Sequence, residues 1–136
     1  IHTRDAWDET FEILDAEGIP LNTIMHCFSG DEICARQCIE RGLFLSFSGI
    51  DTFKNANDLR EAALFCPDEN LLVETDSPYL APVPYRGKTN TPAYVPHVAE
   101  CLASVKGVSI ETVAHQTTVN FHTLFNKVPS PNAFNS

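Results

Sequence analysis

Apolar positions recur along this chain with two alternating periods. Residues 6–17 set Trp7, Phe11 and Leu14 on one helical stripe, with Asp5 placed to cap the start and Gly18 to stop the end. Residues 21–27 (LNTIMHC) read as a short buried strand. Ser29-Gly-Asp-Glu32 has the spacing of a capping box and opens a helix that ends at Gly42. Residues 43–48 (LFLSFS) are a second strand. In 57–66, Leu59, Ala62, Ala63 and Cys66 recur at helical spacing before Pro67. Residues 71–75 (LLVET) are a third strand, followed by a Pro- and Gly-rich loop from Ser77 to about Tyr94. Helices close the chain: Val98, Cys101, Leu102 and Val105 line one that Gly107 ends, Ser109 caps another, and Phe121, Leu124 and Phe125 line the last.

The predicted order is therefore α-β-α-β-α-β-α-α-α. Nearly continuous apolar strands separated by helices mean a parallel sheet with covered faces. Ile1-His2 reads as the last two residues of a further strand. Residues 1–126 form one unit, and the Pro-, Asn- and Ser-rich segment 127–136 reads as a flexible tail.

Composition narrows the function classes. Of 136 residues, 43% are hydrophobic and 20% charged, which excludes a disordered chain. No apolar run approaches the ~20 residues of a membrane helix, and no secretory leader is visible, so no membrane partner is expected. Nine Lys+Arg against 18 Asp+Glu give a net charge of −9, which argues against nonspecific coating of nucleic acid. An enzyme that acts on nucleic acid through a metal centre stays open, because bound cations reverse the local field. Arg4, Lys54, Arg86 and Lys88 all fall in loops or helix starts, whereas most acids fall in helices. The five cysteines (Cys27, Cys34, Cys38, Cys66, Cys101) are odd in number and lack a CxxC spacing. They read as free thiols of a reducing cytoplasm and not as a zinc site.

One chemically useful residue sits where each apolar run ends: His2, His26, Ser48 and Asp76. In a parallel sheet these strand ends share the edge where sites are built. Two imidazoles and a carboxylate converging there suit a divalent cation: zinc, manganese or, with more oxygen ligands, magnesium. Glu74 and Asp76, two apart on one strand, share a face, and such a pair shares a proton or needs a cation. Glu74 either joins that site or pairs with Arg4 or Lys88. Lys54, Arg86, Lys88 and Arg4 are phosphate contacts or solvated cations. Tyr79 and Phe53 offer rings for stacking on a base, with packing the favoured role for Phe53. His97, His115 and His122 fall on late helices, away from the predicted site.

His2-Thr-Arg-Asp5, His26-Cys-Phe-Ser-Gly30, Ser46-Phe-Ser-Gly49 with Thr52-Phe-Lys-Asn-Ala56, and Glu74-Thr-Asp-Ser-Pro-Tyr-Leu-Ala-Pro82 occur in order. Arg86-Gly-Lys88, Asn90 and Thr117-Thr-x-Asn-Phe121 follow. In this set the chain resembles the TatD-type deoxyribonucleases of the amidohydrolase-like superfamily, over residues 1 to about 126. The resemblance implies a (β/α)8 barrel about twice this length, of which this chain is the C-terminal half with terminal helices. It implies a divalent-metal site with one or two ions, Mg2+, Mn2+ or Zn2+. The family's ligands are a His-x-His on the first strand, Glu on the fourth, His on the fifth and sixth, and Asp on the eighth. His2, His26 and Asp76 match the last three, with Glu74 a supporting carboxylate, while the earlier ligands and the N-terminal half are absent.

The implied activity is hydrolysis of DNA phosphodiester bonds, trimming the 3′ end. In it Asp76 is a ligand that also takes the proton of the attacking water, and Arg4, Lys54, Tyr79, Arg86 and Lys88 bind substrate. An ester or amide substrate such as a D-aminoacyl-tRNA, or a half-barrel that only binds a partner, are the competing expectations.

Overall fold

The alternation of apolar runs and helical stripes resolves into a parallel sheet packed on helices. The computed structural model describes residues 1–130. Its elements are α1 (Trp7–Glu17), β1 (Ile24–Met25), α2 (Glu32–Glu40), β2 (Phe44–Phe47), α3 (Asn57–Phe65), β3 (Leu71–Val73), α4 (Val95–Lys106) and α5 (Ile110–Leu124). Among the described residues the sheet order is β1-β2-β3, all parallel, with Met25 beside Leu45 and Leu45 beside Leu71. The ladder continues past β1. The Ile1 amine donates to the Ile24 carbonyl at 2.7 Å, and the His26 amide donates to the Ile1 carbonyl at 2.8 Å. That is the bonding of a parallel neighbour, so Ile1 holds the place expected of a further strand's end.

Strand pleating sorts the sheet into two faces. Met25, Leu45, Phe47 and Leu71 pack with Phe11, Leu59, Ala62, Val98 and Leu102 in the main core. Residues of the other parity, including Ser46 and Leu72, point away from that cluster and carry the site at their C-terminal end. The helices hold the sheet through buried small residues: Ala35 and Cys38 of α2, Ala62 and Ala63 of α3, Ala99 and Ala103 of α4. Asn120 on α5 fastens the opposite end, its amide donating to the carbonyls of Asp68 (2.7 Å) and Leu71 (2.8 Å). The Thr117–Phe121 motif is therefore structural, at the start of β3 and not at the site.

Several local expectations are corrected. Asp5 does not cap α1; the cap is Ala6 without a side-chain bond, and Asp5 sits at φ 54°. The cap of α2 is Asp31, whose carboxylate accepts from the Cys34 amide at 2.9 Å, and not Ser29. Gly30 packs closely against Trp7 and Cys34, where a Cβ would stand 2.9 Å and 2.7 Å from them, so only glycine fits just before that cap. The strands are shorter than predicted because Cys27 (φ 48°) and Asp76 (φ 59°) turn the backbone through the left-handed region. The third terminal helix does not exist as a separate element. With no Gly or Pro between Ser109 and Leu124, α5 runs unbroken to Leu124; Leu124 is buried, while Phe121 and Phe125 are exposed.

The thiols are free; Cys27, Cys38 and Cys66 are buried, and Cys34 and Cys101 are half-buried. Burial pushes the Cys38 and Cys66 thiols up to about 12, so neither is a thiolate for metal. Residues 126–130 are exposed turn, and the rest of the predicted tail lies outside the described residues. Among the described residues no helix is long and apolar enough to cross a membrane.

Candidate metal centre

β1 and β3 flank β2, and their ends bring the site together. His26 follows β1 and Glu74 follows β3, both on the face turned away from the core. Between them β2 contributes only Ser46 and Ser48, small and buried, which leaves room for the two longer side chains to meet. His26 Nδ1 lies 2.7 Å from Glu74 Oε1, and His26 Nε2 lies 3.4 Å from Asp76 Oδ1. Nitrogen and oxygen ligand atoms of all three residues fall within 4.8 Å of one another. The His2 ring stands beside them, its centroid 5.9 Å from that of His26. His2, Arg4, Asp5, Cys27, Asp76 and Tyr79 are among the walls of a cleft of ≈ 620 Å³.

Two features show that this group fits a cation. Glu74 Oε1 is buried, 2.7 Å from His26 Nδ1, and has no hydrogen-bond partner among the described residues. A buried carboxylate oxygen without a donor carries a large desolvation cost that a cation removes. The 3.4 Å between Nε2 and Oδ1 is long for a hydrogen bond. A nitrogen and a carboxylate oxygen held that far apart would both be able to face one divalent cation. Cys27, though next to His26, is no ligand here. Burial pushes its thiol up, the 3.4 Å contact with Ser48 Oγ opposes that, and the charges of Asp76 and Glu74 add a smaller rise.

The expected residues thus divide. His26, Glu74 and Asp76 converge, and His2 is adjacent. Ser48 is withdrawn from the site, fully buried on Cys27. Glu74 meets His26 and neither Arg4 nor Lys88. Arg4 and Tyr79 line the cleft. Arg86 lies 4.1 Å over the Phe53 ring and lines a neighbouring groove, and Lys88 lies 5.8 Å over Tyr85. Lys54 is exposed and lines neither cavity. Cations elsewhere are engaged: Arg36 with Glu32, Arg41 with Asp15, Lys106 with Asp68, and Arg60 with backbone carbonyls. Among the described residues none of Arg4, Lys54, Arg86 and Lys88, all in loops, pairs with a carboxylate. His97 pairs with Glu100, away from the cleft.

Two residues outside the expected set position the loop that carries Asp76. Buried Asn90 donates to the carbonyls of Thr75 (2.7 Å) and Tyr79 (2.8 Å), while its own amide donates to the Pro78 carbonyl at 3.0 Å. Its place within the motif run was the sequence signal for it. Gly49 is the second: a Cβ there would lie 2.0 Å from the Leu80 carbonyl oxygen and 3.0 Å from the Pro82 nitrogen. Gly49→Ala is therefore expected to push the loop off β2 and cost about 3 kcal/mol, read as a lower urea midpoint. An unchanged midpoint would mean the loop is not pressed on Gly49.

A parallel α/β sheet with imidazole and carboxylate side chains gathered at its C-terminal edge is an arrangement that suits a divalent cation. The chain belongs to the TatD related DNase family, whose model matches residues 1–126. It is 52% identical over 126 residues to the uncharacterized metal-dependent hydrolase YcfH of Escherichia coli K12, covering 92% of this chain and 48% of that protein. It is 45% identical to the uncharacterized metal-dependent hydrolase YabD of Bacillus subtilis, covering 92% and 49%. The crystal structure of YJJV, a TatD homolog from E. coli K12, superposes with a TM-score of 0.86 at 27% identity, over 94% of this chain and 49% of that one. The chain spans about half the length of the curated relatives it matches.

Proposed function

We propose that this chain is the second half of a (β/α)8 barrel and carries part of the divalent-metal site of a deoxyribonuclease that trims DNA from the 3′ end. The observation that carries the reading is the convergence of His26, Glu74 and Asp76, with an unpartnered buried oxygen, beside a cleft that Arg4 lines. Such a cleft on an acidic protein is suited to a polyanion held at one place. The family's description as a related DNase and the half-length coverage of the relatives support the substrate and the barrel.

His2, His26 and Asp76 would hold the ion, magnesium or manganese, with zinc as the nitrogen-favouring alternative and room for one or two ions. Bound there, a divalent cation would polarise a phosphoryl oxygen and provide a nucleophile at neutral pH. Glu74, packed on Nδ1 of His26, holds that ring in orientation. Asp76 takes the proton of the attacking water. Arg4, Lys54 and Lys88 neutralise flanking phosphates, Arg86 presents its guanidinium plane beside Phe53, and Tyr79, 70% exposed at the cleft, offers a face to a base.

The test supplies Mg2+ or Mn2+ and compares nucleotide release from single-stranded DNA with amino-acid release from a D-aminoacyl-tRNA. Metal-dependent nucleotide release, lost with EDTA, is expected. Amino-acid release alone would replace the nuclease reading with an esterase, and neither release would leave a non-catalytic binding half.

A further inference from the structure

A second cavity, ≈ 490 Å³, adjoins the metal cleft and shares its wall of Ser29 and Ile50. We propose that it is a nucleobase subsite, holding the base of a nucleotide next to the scissile phosphate and preferring an amine-bearing base to thymine. The proposal rests on the nuclease reading for its substrate strand. Its own evidence is the groove's chemistry.

Three planar groups line the groove: the indole of Trp7, the ring of Phe53 and the guanidinium of Arg86, stacked 4.1 Å over Phe53. Flat aromatic and guanidinium surfaces accept any base face, which suits a single strand. The indole is held in place. It packs on Phe28 with ring centroids 5.3 Å apart, and Gly30 is required beneath it, since a Cβ there would stand 2.9 Å from its Cζ2. The groove's charge argues against a phosphate. Asp31 and Asp58 line it against the single cation Arg86, and that cation is engaged with Phe53. Asp31 is occupied by the Cys34 amide, whereas Asp58, in the first turn of α3, is free to accept. A carboxylate acceptor beside a stacking surface recognises an exocyclic amine, present on adenine, cytosine and guanine and missing from thymine. The substrate thus lies with phosphate at the metal cleft and one base turned into the acidic, aromatic groove.

Trp7 is the chain's only tryptophan, so its fluorescence reports this groove without any need for turnover. The experiment titrates the protein in EDTA with short oligonucleotides: (dA)4, (dT)4 and an abasic tetramer. Saturable quenching is expected with (dA)4, at least threefold tighter than with (dT)4, and absent with the abasic strand. Asp58→Asn should bring the (dA)4 and (dT)4 midpoints together with an unchanged circular dichroism spectrum. Asp76→Asn should lose metal-dependent DNA hydrolysis and keep the quenching. No quenching, or equal quenching by the abasic tetramer, would overturn the subsite even if DNA is hydrolysed. Quenching with this preference but no hydrolysis would overturn the nuclease reading and leave a nucleobase groove standing.

Discussion

Replacing Asp76 by Asn is expected to lower divalent-metal affinity at least ~100-fold and to remove metal-dependent hydrolysis. Changing even an outer partner of a metal ligand typically costs 10–100-fold, and here a ligand atom itself is changed. The substitution removes one negative charge and leaves a weaker amide oxygen in the place of Oδ1, 3.4 Å from His26 Nε2. Asn is the informative choice because Asp76 sits at φ 59°, a conformation that Asn and Asp adopt more readily than other side chains. Asp76→Ala would mix loss of the ligand with backbone strain. The measurement is Mn2+ titration by calorimetry, with circular dichroism as the control for folding. An affinity within threefold of the wild type would exclude Asp76 as a ligand.

Raising the pH from 6 to 8 is expected to destabilise the protein, and Asp51→Asn to remove much of that slope. Asp51, on the turn Gly49–Thr52 after β2, is fully buried, and neither carboxylate oxygen has a partner. Burial pushes its carboxyl up to about 8, opposed in part by the charge of Arg60. The sign follows from proton counting. The unfolded chain ionises Asp51 near its ordinary pKa of about 3.9, whereas the fold keeps the proton until about pH 8. Between those values the native state binds the extra proton, so stability falls as pH rises, then levels off above pH 8. The slope is at most about 1.4 kcal/mol per pH unit, and roughly 6 kcal/mol is the ceiling over the whole interval. Urea unfolding at pH 6, 7 and 8 checks it. Identical slopes for Asp51→Asn and the wild type would mean the buried carboxyl ionises as it does in water.

The motif that was hardest to place from the sequence was Thr117–Phe121, since a run of polar residues on a late helix has no period that separates a site from a clamp. Its role came from distance: Asn120 reaches two carbonyls about fifty residues earlier in the chain. Helix caps were misplaced by one or two residues. Ser29 satisfies the capping spacing, but Asp31 stands closer to the helix and its carboxylate takes the Cys34 amide. The unbroken α5, by contrast, was open to the sequence, because nothing after Ser109 stops a helix before Phe125.

The sequence by itself determined the alternation of strands and helices, the parallel sheet that follows from it, and the edge on which His2, His26 and Asp76 stand. Those are local properties: hydrophobic period selects the element, and strand direction selects the edge. Only the tertiary structure decided which side chains meet there. Glu74 became His26's neighbour, and Ser48 withdrew, because the left-handed turns at Cys27 and Asp76 and the small residues of β2 set the approach across three strands. Asp51's unpaired burial and the groove beside the cleft were equally hidden, for they are made by surfaces from segments far apart in the chain, and no local pattern encodes what distant segments bring together.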